Sequence, residues 1–178
     1  SVVARTYGLF TSEKFGGTYD QADGTASQVY EGAGAVTAAS RRATQATEGE
    51  VLTYDGTLIQ AVYFSSSGGH TADNEAVWNA KEPIAYLRGK KDPYDTNSPH
   101  HTWSARVNRS QLLQVLTRAN GSLVKGFTIG ERSADGRVKT INLLQSSGSP
   151  DEMNANDFRL VVNQGVDGAP LKSTWFDA

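Results

Sequence analysis

Apolar positions fall in short runs separated by glycine, serine and asparagine, and two periodicities alternate along the chain. Val3, Tyr7 and Phe10 recur at the spacing of one helical face and predict a helix over residues 1–10, with Ser1 as its N-cap. The alanine-rich stretch 36–47, carrying Arg41 and Arg42, predicts an amphipathic helix that stops near Gly49. Residues 50–54 and 58–64 are apolar runs around Asp55-Gly56, a hairpin signal. Leu112, Leu113, Val115 and Leu116 mark the buried side of a helix capped by Asn108 or Ser110 and ended by Asn120-Gly121. Residues 127–133 and 137–144 alternate around Ala134-Asp135-Gly136 and predict a second hairpin. Residues 154–162 read as a short capped helix and 171–176 as a final strand. Helices and hairpins segregate without regular βαβ alternation, so the fold class is α+β, short helices with two or more β-hairpins.

One stretch breaks the pattern with chemistry. Residues 61–78, AVYFSSSGGHTADNEAVW, run from an apolar strand into three serines and two glycines, then into an acidic segment closing on a tryptophan. Gly68 and Gly69 allow a sharp turn or a close approach to a ligand. Ser65, Ser66, Ser67, His70, Thr71 and Glu75 put more polar groups at one strand end than a turn needs. An ordinary serine-rich surface loop fits the same residues. A hairpin feeding this loop would give it a rigid support.

The 178 residues, 38% hydrophobic and 20% charged, suffice for one domain with a buried core. A net charge of -2 gives no pull toward nucleic acid or an anionic membrane, so partners must be recognised through shape and polar chemistry. No run reaches the apolar length of a membrane span. The lack of cysteine excludes disulfides and thiolate metal sites within these residues and leaves the compartment open.

Two weaker signals lie outside that stretch. Asp20 and Asp23, in a D-x-x-D-G loop, could hold calcium, although the full ligand ladder is missing and solvated acidic loops are commoner. His100 and His101 stand in the irregular stretch 79–103. Neighbours on an extended chain point in opposite directions, so turn or surface roles are favoured over metal ligation. Neither a cofactor nor a metal is expected.

Five pieces then fall into one order and register: ARTYGL at 4–9, SQVYEG at 27–32, GEVLTYDGTLIQAVYFSSSGGHT at 49–71, EAVW at 75–78, and DFRLVV with LKSTWF near the end. Together they resemble the SpoIID/LytB family of stage II sporulation protein D and the amidase enhancers. The resemblance implies a SpoIID-like fold around a cleft in a secreted or cell-wall-associated, extracytoplasmic protein. It implies peptidoglycan glycan strands as partner, together with a cell-wall amidase in the enhancer branch. In the sporulation branch it implies lytic transglycosylase chemistry on peptide-free glycan. One acid protonates the glycosidic oxygen and then serves as base while the C6 hydroxyl of muramic acid closes to an anhydro end. Such an acid needs a raised pKa, and a single carboxyl suffices. The alternative is a glycan-binding or amidase-enhancing module without chemistry of its own.

The resemblance also implies departures. The family's catalytic glutamate lies upstream of the helix that ends in ARTY, so residues 1–178 are expected to be one SpoIID-like domain, N-terminally truncated relative to the family. Ala22 and Ser27 stand at or near the places of cysteines that hold zinc in some sporulation members. Phe64 replaces a histidine found in many members. Gln28 and Tyr30 are expected to face the cleft, with a core aromatic role for Tyr30 as the alternative. Ser65, Ser66, Ser67, Gly68, Gly69 and Thr71 are expected to contact sugar, with backbone amides freed by the glycines as further donors. Arg5 and Tyr7 are expected on the cleft floor. Glu75 is a candidate catalytic acid, although a helix N-terminal role is commoner for an acid so placed. Trp78 is expected to be buried rather than stacked on a sugar.

Overall fold

In the computed structural model, which describes residues 1–12, 16–24, 26–78, 80, 82–168 and 171–178, the polypeptide forms two compact units, Ser1–Phe64 and Ser65–Ala178. Parts of the glycine loop (13–15 and 25) and of the irregular stretch (79 and 81) lie outside the described residues.

The first unit opens with α1 (Val2–Phe10). Ser1 occupies the N-cap position without capping it. Its hydroxyl lies 3.1 Å from Thr47 Oγ1 and 3.4 Å from the Ala43 carbonyl, tying the start of α1 to the end of α2 (Ala38–Ala46). Arg5 completes that tie, donating to the Thr47 and Glu50 carbonyls at 2.6 and 2.7 Å. Helix α2 begins with a capping box between Thr37 and Ser40. The predicted apolar face of α1 is not a core face, because Val3 and Phe10 are exposed. The fully buried residue is Thr6, whose hydroxyl donates to the Val2 carbonyl and accepts from the Leu52 amide.

Strands β1 (Thr53–Tyr54) and β2 (Thr57–Leu58) pair around Asp55 and Gly56, both at positive φ as a type I′ hairpin turn requires. The hairpin is shorter than the apolar run suggests. The Val62 amide bonds back to the Gln60 carbonyl, an i to i+2 turn that takes residues 59–64 out of strand geometry.

The second unit contains α3 (Asn74–Trp78), α4 (Arg109–Asn120), a three-stranded antiparallel sheet of β3 (Gly126–Ile129), β4 (Thr140–Leu144) and β5 (Asp151–Asn154), and α5 (Ala155–Gly165). Asn108 and Asn154 cap α4 and α5 by accepting from the first amides of each helix, and Gly121 closes α4 in the left-handed conformation. The β3 to β4 hairpin has Ile129 opposite Ile141 and Phe127 opposite Leu143. Ile141 and Leu143 are wholly buried, and they cluster with Val115 and Leu116 of α4 and with Phe158 and Val162 of α5. A Cβ on Gly165 would collide with the Val115 side chain, so the end of α5 packs closely against α4. Fully burying each large aliphatic side chain contributes roughly 1.5–3 kcal/mol, so this two-layer core dominates the unit's stability.

Two elements differ from expectation. Strand β5 has little β-branched or aromatic character, which is why the pattern conceals it. Residues 171–176 form no strand. Leu171 is held instead by the Asn163 carboxamide, which accepts from its amide at 2.7 Å and donates to its carbonyl at 3.0 Å. The rest is held by a backbone bond from the Val138 amide to the Thr174 carbonyl and by side-chain bonds from Trp103 to Ser173 and from Arg132 to the Phe176 carbonyl. The mixed arrangement of short helices and two antiparallel sheets is α+β. Among the described residues no helix is long and apolar enough to cross a membrane.

Candidate functional site

The serine-glycine loop is organised by one carboxylate. Asp95 Oδ1 accepts from the Ser67 amide at 3.1 Å, and Oδ2 accepts from the Gly68 amide and the Ser66 hydroxyl, both at 2.8 Å. His101 Nδ1 lies 3.0 Å from the same Oδ2. Burial of the Asp95 side chain pushes its pKa up. Hydrogen bonds from His101, Ser66 and the two amides outweigh that and hold it at about 2. A second aspartate closes the turn: Asp92 accepts from the Ser67 hydroxyl at 2.8 Å and donates its amide to the Gly69 carbonyl at 2.9 Å. Gly68 and Gly69 have φ of 70° and 98°, which side-chain-bearing residues rarely adopt.

Arg137 seals the loop from below. Its side chain is nearly buried and donates to the Ser67 carbonyl at 2.7 Å and the His70 carbonyl at 2.6 Å. Its Nε bonds Asp135 at 3.0 Å, and its guanidinium lies 5.0 Å from the centre of the Trp175 ring. His70 Nδ1 stands 2.6 Å from the Thr71 carbonyl and 3.7 Å from Asp135.

This network changes the expected roles. The loop amides are not free donors, since those of Ser67 and Gly68 go to Asp95, that of Gly69 goes to Ser67 Oγ and that of Thr71 goes to the Lys90 carbonyl. Ser67 is buried, and Thr71 Oγ1 accepts from the Lys90 amide at 2.9 Å. Gly69 and Thr71 therefore shape the loop, while Ser65, Ser66, Ser67 and Gly68 line an open groove of about 310 Å³. Across from them stand His100, His101, Thr102, Trp103, Lys172, Ser173 and Trp175. Within its own unit the loop is supported by Asp92, Asp95 and Arg137, and residues 59–64 form no strand.

Glu75 sits in the first turn of α3, as an acid at a helix start does, and Arg88 grips it through Nη1 at 2.8 Å and Nη2 at 2.5 Å. That side-chain hydrogen bond, chiefly, lowers its pKa to about 2. A general acid needs the opposite shift, so this geometry opposes a proton-donating role for Glu75. Trp78 is exposed, not buried. The buried residue of this short helix is Asn74, whose carboxamide donates to the Glu82 carbonyl and accepts from the Ile84 amide and from Arg88.

Gln28 and Tyr30 belong to the first unit. Tyr63 Oη donates to Gln28 Oε1 at 2.7 Å, and the Tyr63 ring meets Tyr7 edge to face at 6.2 Å. Tyr30 is 62% exposed, which removes the core alternative, and with Gln28, Val29 and Tyr63 it lines a shallow recess of its own unit. Asp23 Oδ1 accepts from the Tyr30 amide at 3.0 Å. The Ala22 amide donates to Ser27 Oγ at 3.1 Å, so a hydrogen bond joins the two positions near which the resemblance puts metal-binding cysteines. Among the described residues no group of three or more His, Asp or Glu side chains could hold a metal ion.

The sequence alone assigns no site role to Asp92, Asp95, Arg137, Trp103 or Trp175, and it marks His101 only as a turn or surface histidine. A signal existed for the aspartates: 92–95 reads DPYD, and aspartates around a proline often bond nearby amides in turns. Nothing local marks Arg137 or Trp175, which reach the loop only through the fold.

Residues 1–54 match the family model described as SpoIID, stage II sporulation protein. The chain is 39% identical over 112 residues to the amidase enhancer of Bacillus subtilis (strain 168), covering 63% of this chain and 14% of that relative. It is 34% identical over 90 residues to the stage II sporulation protein D of the same strain, covering 50% of this chain and 26% of the relative. To the stage II sporulation protein D of Bacillus amyloliquefaciens it is 42% identical over 55 residues, 31% of this chain and 15% of the relative. The matched stretches thus span from about a seventh to about a quarter of these relatives' lengths. The motifs of 4–9 and 27–32 lie inside the stretch of residues 1–54 that is similar to the SpoIID family.

Proposed function

We propose that this chain engages peptidoglycan glycan strands outside the membrane, as a lytic transglycosylase-like domain that acts on peptide-free glycan. The observation that carries the reading is the groove of the second unit, where serine hydroxyls and two histidines face two tryptophans. A sugar ring is itself amphipathic, with apolar faces that stack on indole and hydroxyls that need partners, and this lining offers both. The names of the relatives, an amidase enhancer and stage II sporulation proteins, support a role in the bacterial wall.

In this reading the second unit binds and orients the strand. Asp95 fixes the loop backbone, Ser65 and Ser66 offer hydroxyls, and Trp103 and Trp175 limit where a ring can lie. Glu75 and Asp95 are both held ionised, which opposes either as the proton donor, and in this reading the donor is the acid that the resemblance places upstream of ARTYGL.

The same ionised carboxylates, with the 39% identity to an amidase enhancer, favour a second reading: a glycan-binding module that stimulates a separate cell-wall amidase. The discriminating experiment incubates peptide-free strands with this chain and with a form carrying the upstream segment, and scores anhydro-muramic ends by mass spectrometry. New ends from the longer form support the enzyme. Binding without ends supports the module, and absence of binding removes both.

A further inference from the structure

We infer that a basic groove along α4 takes a linear polyol-phosphate polymer, a thread of small polyols joined by phosphodiesters, with Arg109, Arg118 and Lys125 as the ligands of its phosphates. This groove is a different face of the second unit from the serine-lined one, and the inference does not rest on the glycan reading.

Residues 109, 110, 113, 114, 117 and 118 share one face of α4 and, with residues 123–125, line an open groove of about 1000 Å³. Two bonds hold its walls together. The Val124 amide donates to Thr117 Oγ1 at 3.0 Å, and Arg109 Nη2 donates to the Lys125 carbonyl at 3.2 Å. The second bond also brings two cationic residues to one end of the groove. Arg118 lies near the other end of α4, about 13 Å from Arg109 along the helix axis at about 1.5 Å per residue.

All three cationic residues are exposed, and among the described residues none of them joins an ion pair. No described carboxylate lines the groove. Asp151, at the far end of α4, is bonded by Asn120 and Gln145. A chain of net charge -2 thus carries one local positive field that an anion can neutralise.

The spacing of the cations sets the shape of the ligand. A single phosphate cannot reach both ends of the groove, whereas a threadlike polyanion meets Arg109 and Lys125 with one charge and Arg118 with another. Guanidinium forks match phosphate oxygens two at a time. Between the cations the floor is apolar, with Leu113 half-buried and Leu123 60% exposed. Beside them the exposed Gln114 makes no hydrogen bond among the described residues. A short carbon linker can lie on such a floor while its hydroxyls meet the carboxamide. The described lining holds no aromatic ring, which disfavours single-stranded nucleic acid, whose bases need stacking platforms. A concave wall also suits a thread better than a bilayer surface.

The test titrates the whole nitrogen-labelled chain with a short glycerol-phosphate oligomer. Amide shifts are expected over residues 109–118 and 123–125. Log affinity should fall against log salt with a slope of about -2, three cations at roughly 0.7 each as for single-stranded polyanions. Arg118 makes no bond among the described residues, so replacing it should spare the fold. Arg118→Gln should weaken binding about three- to fivefold and reduce the slope to about -1.4, and Arg118→Lys should restore both. No binding, shifts confined to other residues, an unchanged affinity in Arg118→Gln, or equal affinity for inorganic phosphate would each overturn the inference. So would a single-stranded oligonucleotide, a polycarboxylate of the same charge or anionic lipid vesicles that bind this face as tightly as the oligomer. Peptide-free glycan strands run in parallel keep the two readings apart. An oligomer that binds with or without strands present supports the inference, and one that strands displace overturns it.

Discussion

The carboxylate of Asp95 accepts from the backbone amide of Gly68 at 2.8 Å, across 27 positions of sequence. That bond, with those from Ser66, Ser67 and His101, turns a flexible serine-glycine run into a fixed wall of the groove. Asp95→Ala strands two loop amides that the fold has turned away from solvent. The expected outcome is a melting temperature lowered by several degrees and loss of most glycan binding, measured by calorimetry and strand co-sedimentation. A loop that needs no aspartate would leave both unchanged.

Acid should loosen the same loop. The pKa of Asp95 falls from 3.8 to about 2 on folding, and that of Glu75 falls from 4.5 to about 2. A depressed carboxylate adds stability that is fully present above its unfolded value and is lost as pH falls through the folded one. Denaturant midpoints should therefore hold steady down to a pH of about 4.5 and decline from there toward about 2. Asp95→Asn should flatten part of that decline. An unchanged acid profile in this variant would remove Asp95 as a source of it.

Arg137 joins the loop to the β3 to β4 hairpin, whose turn it shares with Asp135. Arg137→Met keeps much of the apolar stem and removes the donors, leaving the Ser67 and His70 carbonyls and the Asp135 charge without their partner. A cost of about 3 kcal/mol is expected from urea unfolding. Arg137→Lys should recover only part of this, since one ammonium cannot reproduce the guanidinium fork.

Glu75 offers a sharp test of role. Its pairing with Arg88 favours the anion at the start of α3, which opposes a proton-donating role. Glu75→Gln should leave glycan binding and any anhydro-end formation within about twofold of the parent chain. A loss of product with binding intact would restore Glu75 as the acid.

Two glycines separate space from conformation. A Cβ on Gly89 would stand 2.8 Å from the Thr71 carbonyl oxygen, while one on Gly34 would meet nothing within 4 Å. Gly89→Ala should destabilise by about 1–3 kcal/mol by pushing the neighbouring backbone apart, and Gly34→Ala should be close to neutral. Equal effects in thermal unfolding would contradict the packing at Gly89.

What the sequence reveals follows from the range of its signals. The caps at Asn108 and Asn154, the Asp55-Gly56 turn and the buried face of α4 are local, and each sits where its residues predict. The serine loop was legible as a special stretch because serines and glycines cluster there. Its hydrogen-bond partners were not, since Asp95 and Arg137 lie 27 to 70 positions away. The same limit explains the tail, where an Asn163 side chain does what a strand partner was expected to do. Amide donors expected to be free were committed for a general reason: buried backbone groups find partners inside the fold.

The central claim, that this groove holds a glycan strand, is tested most directly by hydrogen exchange with and without peptide-free strands. The account predicts slower exchange over residues 65–71 and 100–103, with little change over the α4 and α5 core. Strand binding that protects neither segment would contradict it.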